Sequence, residues 1–396
     1  MNKKEVKKAP ALRFKGFTND WEQRKLGDMA NILRGASPRP IKDKKWFDTN
    51  SRIGWIRISD VTSQNGRVYT LGQHLSKKGQ EKTRVVSSQT LLLSIAASVG
   101  YPVITYVETG VHDGFVIFDK PKFNLDFMFF KLQSIQNIWN KYGQAGSQVN
   151  INSSIVANTS ISIPNIEEQK RISILLKKIE ENIYLQQRKL SLIKTLKRSF
   201  LSDLFFKTST NSIVITLKQV TSIRGGYAFK SKEFTENGYP IIKIANISNN
   251  GEIKGPYSYT NNFNKKYILT KNDIVLAMSG ATTGKIAKLR SSKSFLQNQR
   301  IGYFCKTNNI DYNYLYYLLI SDQFKKQLKR ITIAGAQPNV SSLDIENFRF
   351  SVLSSKNKQK KISDFLNKLD IKIRITNKKI TIFSQLKRSL LNNMFI

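Results

Sequence analysis

The sequence predicts an α/β (α+β) protein built as an internal repeat, in which two similar mixed domains are separated by two long antiparallel coiled-coil helices related by a pseudo-twofold axis. Three observations predict it. The run Leu196-Lys-Arg-Ser-Phe-Leu-Ser-Asp-Leu-Phe205 recurs 190 residues later as Leu386-Lys-Arg-Ser-Leu-Leu-Asn-Asn-Met-Phe395. Within each half, short alternating apolar runs give way to one long heptad pattern. The 396 residues, 40% of them hydrophobic, suffice to bury cores in more than one domain.

Further pairs keep nearly the same displacement. Ile56-Arg-Ile-Ser-Asp matches Ile242-Lys-Ile-Ala-Asn, and Asn124-Leu-Asp-Phe matches Asn309-Ile-Asp-Tyr. Gly146-Ser-Gln-Val-Asn150 matches Gly335-Ala-Gln-Pro-Asn339, and Gln169-Lys-Arg-Ile matches Gln359-Lys-Lys-Ile. Each match is weak alone; their common order and spacing carry the argument.

The elements follow in order. Residues 1–20 form an N-terminal arm, and 21–163 a first domain with strand-like runs at Trp55–Ile58, Thr90–Ile95 and Phe115–Phe118, and a helix over Leu125–Tyr142. Residues 164–207 are a long helix entered after Pro164. Its seam runs through Ile172, Leu176, Ile179, Ile183, Gln186, Leu190, Ile193, Lys197, Phe200 and Leu204, in steps of four and three. A second domain, 208–353, has runs at Ile241–Ile244 and Asp273–Met278 and a helix over Tyr312–Lys329. The last helix, 354–396, is entered near Asn357 and has the seam Ile362, Leu366, Leu369, Ile373, Thr376, Ile380, Phe383, Lys387, Leu390 and Met394.

Polar seam residues recur at matching places, Gln186 with Thr376 and Lys197 with Lys387; they set register at a cost in stability, unless the seam turns outward there. Each helix would be roughly 57 Å long at ~1.5 Å per residue. With one apolar stripe each, the two are predicted to bury it against each other, which places one domain at each end.

Lys and Arg number 65 against 27 Asp and Glu, a formal net charge of +38. The excess is +12 in residues 1–165, +5 in 166–207, +12 in 208–355 and +9 in 356–396, so it is neither a basic tail nor a membrane anchor. A polyanion is the expected partner. No apolar run reaches transmembrane length and no signal core follows Met1–Pro10, so a cytoplasmic protein without membrane contact is expected. The single Cys305 reads as a packed thiol, and with only His74 and His112 beside it no metal cluster is expected.

Two diverged readers in one chain would recognise different half-sites, giving a bipartite, asymmetric DNA target. In this pattern the chain resembles the specificity subunits of type I restriction-modification systems, over essentially its whole length. The resemblance rests on Leu12-Arg-Phe-Lys-Gly-Phe-Thr-Asn-Asp-Trp-Glu-Gln-Arg-Lys-Leu26, on the glycine turn Ser279-Gly-Ala-Thr-Thr-Gly-Lys285, and on the junction Ile163-Pro-Asn-Ile-Glu-Glu-Gln-Lys-Arg-Ile172. That junction is similar to the family's Pro-Pro-x-Glu-Glu-Gln signature, with Asn165 for one proline; its second copy, Leu353-Ser-Ser-Lys-Asn-Lys-Gln359, is degenerate.

The resemblance implies two target-recognition domains and a non-catalytic scaffold for two adenine-N6 methyltransferase subunits, which restriction subunits can join. S-adenosylmethionine, ATP and magnesium would belong to those partners, with no cofactor in this chain, and the setting would be the bacterial cytoplasm. The residues agree, since no Asn or Asp is followed by Pro-Pro and an aromatic residue. The turn ending at Lys285 is one residue short of a phosphate-binding loop, with Ile286 where Ser or Thr must reach magnesium. A fused methylase-nuclease would need residues the chain lacks; a stand-alone transcription regulator or a structural coiled-coil protein is the other alternative.

Residues kept between halves cannot explain two specificities, so Gly146, Gln148, Asn150 and their counterparts Gly335, Gln337, Asn339 are assigned to backbone positioning or domain packing. Candidate DNA contacts in the first domain are Arg34 with Gly35, Ser37, Arg39, Lys42, Lys44, Lys45, Ser94 and Ser98. In the second they are Arg224 with Gly225, Tyr227, Lys230, Lys232, Ser279, Thr282, Thr283, Lys285, Asn298, Gln299 and Arg300. Arg34, Arg224 and the glycine turn with Lys285 suit phosphate, whereas the remaining candidates are favoured as base readers, among which Arg, Asn and Gln can contact base edges bidentately. The plain alternatives are a solvated arginine and a tight turn between strands.

Overall fold

A computed structural model of the chain describes residues 9–96, 99–142, 151–206, 212–332 and 339–396. It divides into two compact units, residues 1–187 with 378–396, and residues 188–377.

In the first unit, Glu22–Lys25 pairs antiparallel with Ser160–Ile163, so the domain's first and last strands close on each other just before the long helix. Between them, Asn31–Arg34, Phe115–Asp119, Thr90–Ser94, Pro102–Thr105 and Arg67–Val68 form a five-stranded sheet in that order. Gly54–Ile56, Thr109–Val111 and Arg84–Val86 form a three-stranded one. The larger sheet is buried on both faces because alternate residues point to opposite sides. Leu91, Leu93, Val116 and Phe118 enter one core with Phe127, Phe130, Leu176, Ile179 and Met394. Leu92, Val103 and Ile117 enter a second core with Ile56 and Val111 of the smaller sheet. This double burial is why these strands read as unbroken apolar runs.

The second unit repeats the plan. Ser212–Thr216 pairs with Arg349–Leu353. One four-stranded sheet runs Ile223–Arg224, Ile301–Phe304, Ile274–Ala277, Ile286–Lys288, and the other Ser258–Thr260, Tyr239–Ile242, Phe295–Gln297, Ile268–Leu269. Ile274, Leu276 and Phe304 join a core with Tyr314, Leu318, Leu366 and Leu369, whereas Val275, Ala277 and Ala287 join Ile242 and Leu269 on the other face.

Both domain helices are shorter than expected. Leu125–Ser134 passes into a 3₁₀ segment, Gln136–Tyr142, and Tyr312–Leu319 breaks before Asp322–Thr332. The breaks suit the geometry, since a straight helix could not keep such apolar runs as Phe127–Leu132 and Tyr314–Leu319, buried almost throughout, against one core for longer. Cys305 lies just past the strand Ile301–Phe304 and is half-buried, less enclosed than its apolar run implied.

The long helices span Ile166–Phe206 and Lys356–Asn393. Asn165 caps the first, accepting from the Glu168 amide at 2.9 Å. The second starts one residue before the expected signal Asn357, with Ser355 outside its first turn accepting from the Gln359 amide. In the first unit Lys387 meets Glu180 at 2.6 Å, and Leu390 and Met394 share the core of Ile172, Leu176 and Ile179. In the second, Lys197 meets Asp370 at 2.6 Å and Phe200 packs on Phe365. In each unit the pairing is antiparallel. The remaining seam residues Ile183, Leu190, Ile193, Ile362, Ile373, Ile380 and Phe383 are half-buried, and the buried Thr376 turns its hydroxyl back to the Lys372 carbonyl.

Domain-to-helix docking is duplicated, with the carbonyl acceptor displaced by one residue between the copies. Gln169 accepts from the Asn124 amide (3.0 Å) and donates to the Pro164 carbonyl (2.9 Å); Gln359 accepts from the Asp311 amide (2.9 Å) and donates to the Leu353 carbonyl (2.7 Å). Asn124 and Asp311 are the N-caps of the two domain helices. The glutamine of the repeated junction therefore locks the last strand, the long helix and the domain helix together. Its neighbour Glu168, fully buried, accepts from Nε and Nη2 of Arg13 at 2.8 and 2.7 Å, which docks the N-terminal arm. Lys358 stands in that place in the second copy, so the degenerate junction keeps the glutamine lock and loses the arm.

Candidate nucleic-acid interface

The same backbone frame recurs in each domain where its second strand ends, after Arg34 in one and Arg224 in the other. In the first, the Ala36 amide donates to the Val111 carbonyl (2.9 Å); in the second, the Tyr227 amide donates to the Gln297 carbonyl (3.0 Å). A Cβ on Gly35 would collide with the His112 carbonyl, and one on Gly226 with that of Asn298. Gly226, and not Gly225, is thus the structural counterpart of Gly35; Gly225 has open space around it. The frame aligns the turn His112-Asp113-Gly114 with Asn298-Gln299-Arg300. The sequence argument selected only the second of these. The two turns share no identity, so only backbone pairing reveals their equivalence.

In the first domain the candidates converge on Asp113. Its carboxylate accepts from Ser37 Oγ at 2.9 Å and from Arg39 at 2.7 Å, and its carbonyl accepts from Arg34 Nε at 3.0 Å. Burial opposes its charge, but the Ser37 hydrogen bond, His112, Arg39 and Arg34 together hold its pKa below the ordinary value. Burial pushes the His112 pKa down against the pull of Asp113. Exposed Lys42 and Lys44 line an open hollow of about 810 Å³ beside Trp55, Arg57, His74 and His112. Lys45 is tied to Asp43 at 2.9 Å and lies over the Trp46 ring.

Ser94 must be withdrawn as a DNA contact. It is fully buried at the end of its strand, where its hydroxyl accepts from the Tyr101 amide at 3.0 Å. Ser98, Gly146, Gln148, Asn150, Gly335 and Gln337 lie outside the described residues.

In the second domain Tyr227, Ser279, Asn298, Gln299 and Arg300 come together, through Gln299 N to Tyr227 O (2.9 Å) and Met278 N to Arg300 O (3.0 Å). Tyr227 is exposed and packs against Phe229 and Tyr267, with ring centres 4.9 and 5.6 Å away. The side-chain hydroxyls of Ser279 and Thr282 are buried without a hydrogen-bond partner. Arg224 is less free than a solvated arginine. It lies over the Tyr303 ring and reaches Gln297, a buried glutamine that itself donates to the Arg224 and Ile301 carbonyls. Lys230 and Lys232 are exposed, one just before and one within the short turn Ser231–Glu233. Thr283 and Lys285 face elsewhere, into a hollow of about 490 Å³ against Lys194, Lys197 and Arg198 of the long helix. The glycine turn is the connection between antiparallel strands Ile274–Ala277 and Ile286–Lys288, and Gly284 at φ +84° packs where a Cβ would strike Leu328.

Against known proteins, a family model described as the type I restriction modification DNA specificity domain matches residues 18–195 and again 211–382. The chain belongs to this family. The type I restriction enzyme MjaVIII specificity subunit of Methanocaldococcus jannaschii is 24% identical over 401 residues, covering 94% of this chain and 91% of that protein. Among solved structures, the type I restriction-modification system S subunit from M. genitalium superposes with a TM-score of 0.70 at 17% identity, covering 98% of this chain and 99% of that one. A chain from a study of assembly and conformational transition in a type I system gives 0.53 at 16% identity, covering 95% and 97%. These last two likenesses establish a shared fold. As a type I specificity protein, the chain has a role in DNA recognition, and the family model covers its two domains in turn.

Proposed function

We propose that each domain of this specificity subunit reads its own half of a bipartite, asymmetric DNA target, and that the long helices scaffold two methyltransferase subunits, with restriction subunits joining that complex. The carrying observation is the pair of equivalent turns. One retained backbone frame presents His112-Asp113-Gly114 in one domain and Asn298-Gln299-Arg300 in the other, as expected of two readers that share a fold and differ in sequence read. The net charge of +38 supports the phosphate contacts that duplex binding needs.

Exposed apolar residues on the helices support the scaffolding reading. Leu192 and Leu196 in the second unit are 64% and 45% exposed, and their repeat partners Ile382 and Leu386 in the first are 50% and 43%. Such pairs, one turn apart on the exposed flank beside the seam, suit a partner helix. The chemistry is assigned to those partners, which would carry S-adenosylmethionine, ATP and magnesium in the bacterial cytoplasm.

The test is a domain exchange. Residues 213–353 are replaced by the corresponding block of a related subunit, the chain is co-expressed with its methyltransferase, and methylated adenines are mapped. One half of the motif should change and the other persist. A change in both halves together would overturn the two-reader model.

A further inference from the structure

Resting on that reading, we propose that His112 and Arg39 form the base-reading edge of the first domain, and that Asp113 is the residue that positions Arg39. His112 is held on one side only. Its Nδ1 accepts from the Gly114 amide at 2.8 Å, so that nitrogen has no proton to give the Asp113 carboxylate 3.0 Å away, and the Nε2 edge is left for a partner. The ring packs edge-on against Trp55, with centres 5.5 Å apart, at the wall of the hollow. Arg39 is 73% exposed, yet its guanidinium is fixed to Asp113 at 2.7 Å, so it meets a ligand with little loss of side-chain freedom.

Two arguments favour base edges over phosphate as the partner of this cluster. A phosphate site excludes carboxylates, whereas here an acid sits at the centre and offsets the arginines. The resulting mixture of donors and acceptors matches the groove edge of a base pair. The surrounding lysines, Lys42 and Lys44, keep free charge for the backbone. Separately, the frame built on Gly35 and Gly226 puts His112 at the position of Asn298, a residue type able to pair with an adenine edge.

The experiment uses the full chain co-expressed with its methyltransferase, and maps adenine methylation for His112→Asn, Arg39→Ala, Asp113→Asn and the control Lys42→Ala/Lys44→Ala. The half-site that changes when residues 213–353 are exchanged belongs to the second domain, so the remaining one belongs to the first. His112→Asn and Arg39→Ala should relax or alter bases in the first half-site, lowering discrimination roughly tenfold to a hundredfold. The second half-site should stay intact. Asp113→Asn should relax the same bases, a readout that general loss of stability would not move. The lysine control should lower methylation uniformly without changing the motif. His112→Asn can keep an acceptor for the Gly114 amide but loses the ring contact with Trp55, so intact methylation at the second half-site serves as the folding control for this variant. An unchanged first half-site in the His112 and Arg39 variants, alongside a successful domain exchange, overturns this assignment while the two-reader model stands. If the exchange itself fails, the underlying reading falls instead.

Discussion

Replacing Asp370 with leucine removes a carboxylate shared by three groups of the second unit: Lys197 at 2.6 Å, Tyr317 Oη at 3.0 Å and Arg290 at 3.6 Å. The Asp370 and Lys197 side chains are 9% and 18% exposed, so this pair is not the surface kind that contributes little. The variant leaves two cations facing each other in a half-buried junction and a buried tyrosine hydroxyl without its acceptor. The expected loss is about 3–5 kcal/mol. Adding Lys197→Leu removes one orphaned charge and should recover part of it, for a coupling of about 2 kcal/mol in the double-mutant cycle. Urea unfolding of the full chain, followed by far-ultraviolet circular dichroism and by hydrogen exchange over residues 312–319 and 356–377, reads the effect. All four tryptophans (Trp21, Trp46, Trp55, Trp139) belong to the first unit, so their fluorescence reports that unit separately. A cost under about 1 kcal/mol, or no coupling, would refute the view that these polar seam residues fix helix register. The first unit holds an independent replicate, in which Glu180 binds Lys387 at 2.6 Å and Arg67 at 2.7 Å.

Gln359→Ala should destabilise by about 1–3 kcal/mol and speed exchange of the Asp311 amide that it caps; unchanged exchange there would remove the glutamine lock. Burial pushes the Lys288 amine down to about 8 from 10.5, so the unfolded chain binds more protons across that window and stability rises with pH through it. Lys288→Met should reduce that rise in melting temperature, and an identical slope in wild type and variant would contradict the assignment. The purified chain should lose DNA affinity at least tenfold between about 50 and 200 mM salt, because neutralised phosphates release counterions; a flat titration would argue against backbone-dominated binding.

The repeat was legible because its signals are local. The run ending at Phe395 echoes the one ending at Phe205, the heptads predict both long helices to within a few residues, and the repeated Gln169 and Gln359 mark both docking points. Lys197 and Lys387 were identified as seam exceptions, but their acids were not, since Asp370 and Glu180 face them only once antiparallel helices meet. Ser94 was misjudged because alternation along a strand does not reveal that both faces of its sheet are covered. His112 and Asp113 were passed over as sites because nothing in Val111-His-Asp-Gly114 resembles Gln297-Asn-Gln-Arg300.

By itself the sequence determined the duplication, the helix seams and the charge, each a property of spacing or composition along one chain. Tertiary structure decided which side chains share a site. Asp113 gathers Arg34, Ser37 and Arg39 from over 70 residues away, and the glycine turn divides its residues between two surfaces. Contacts between distant segments depend on how sheets stack and strands pair, and that information is held by the packed core and not by any one stretch of residues.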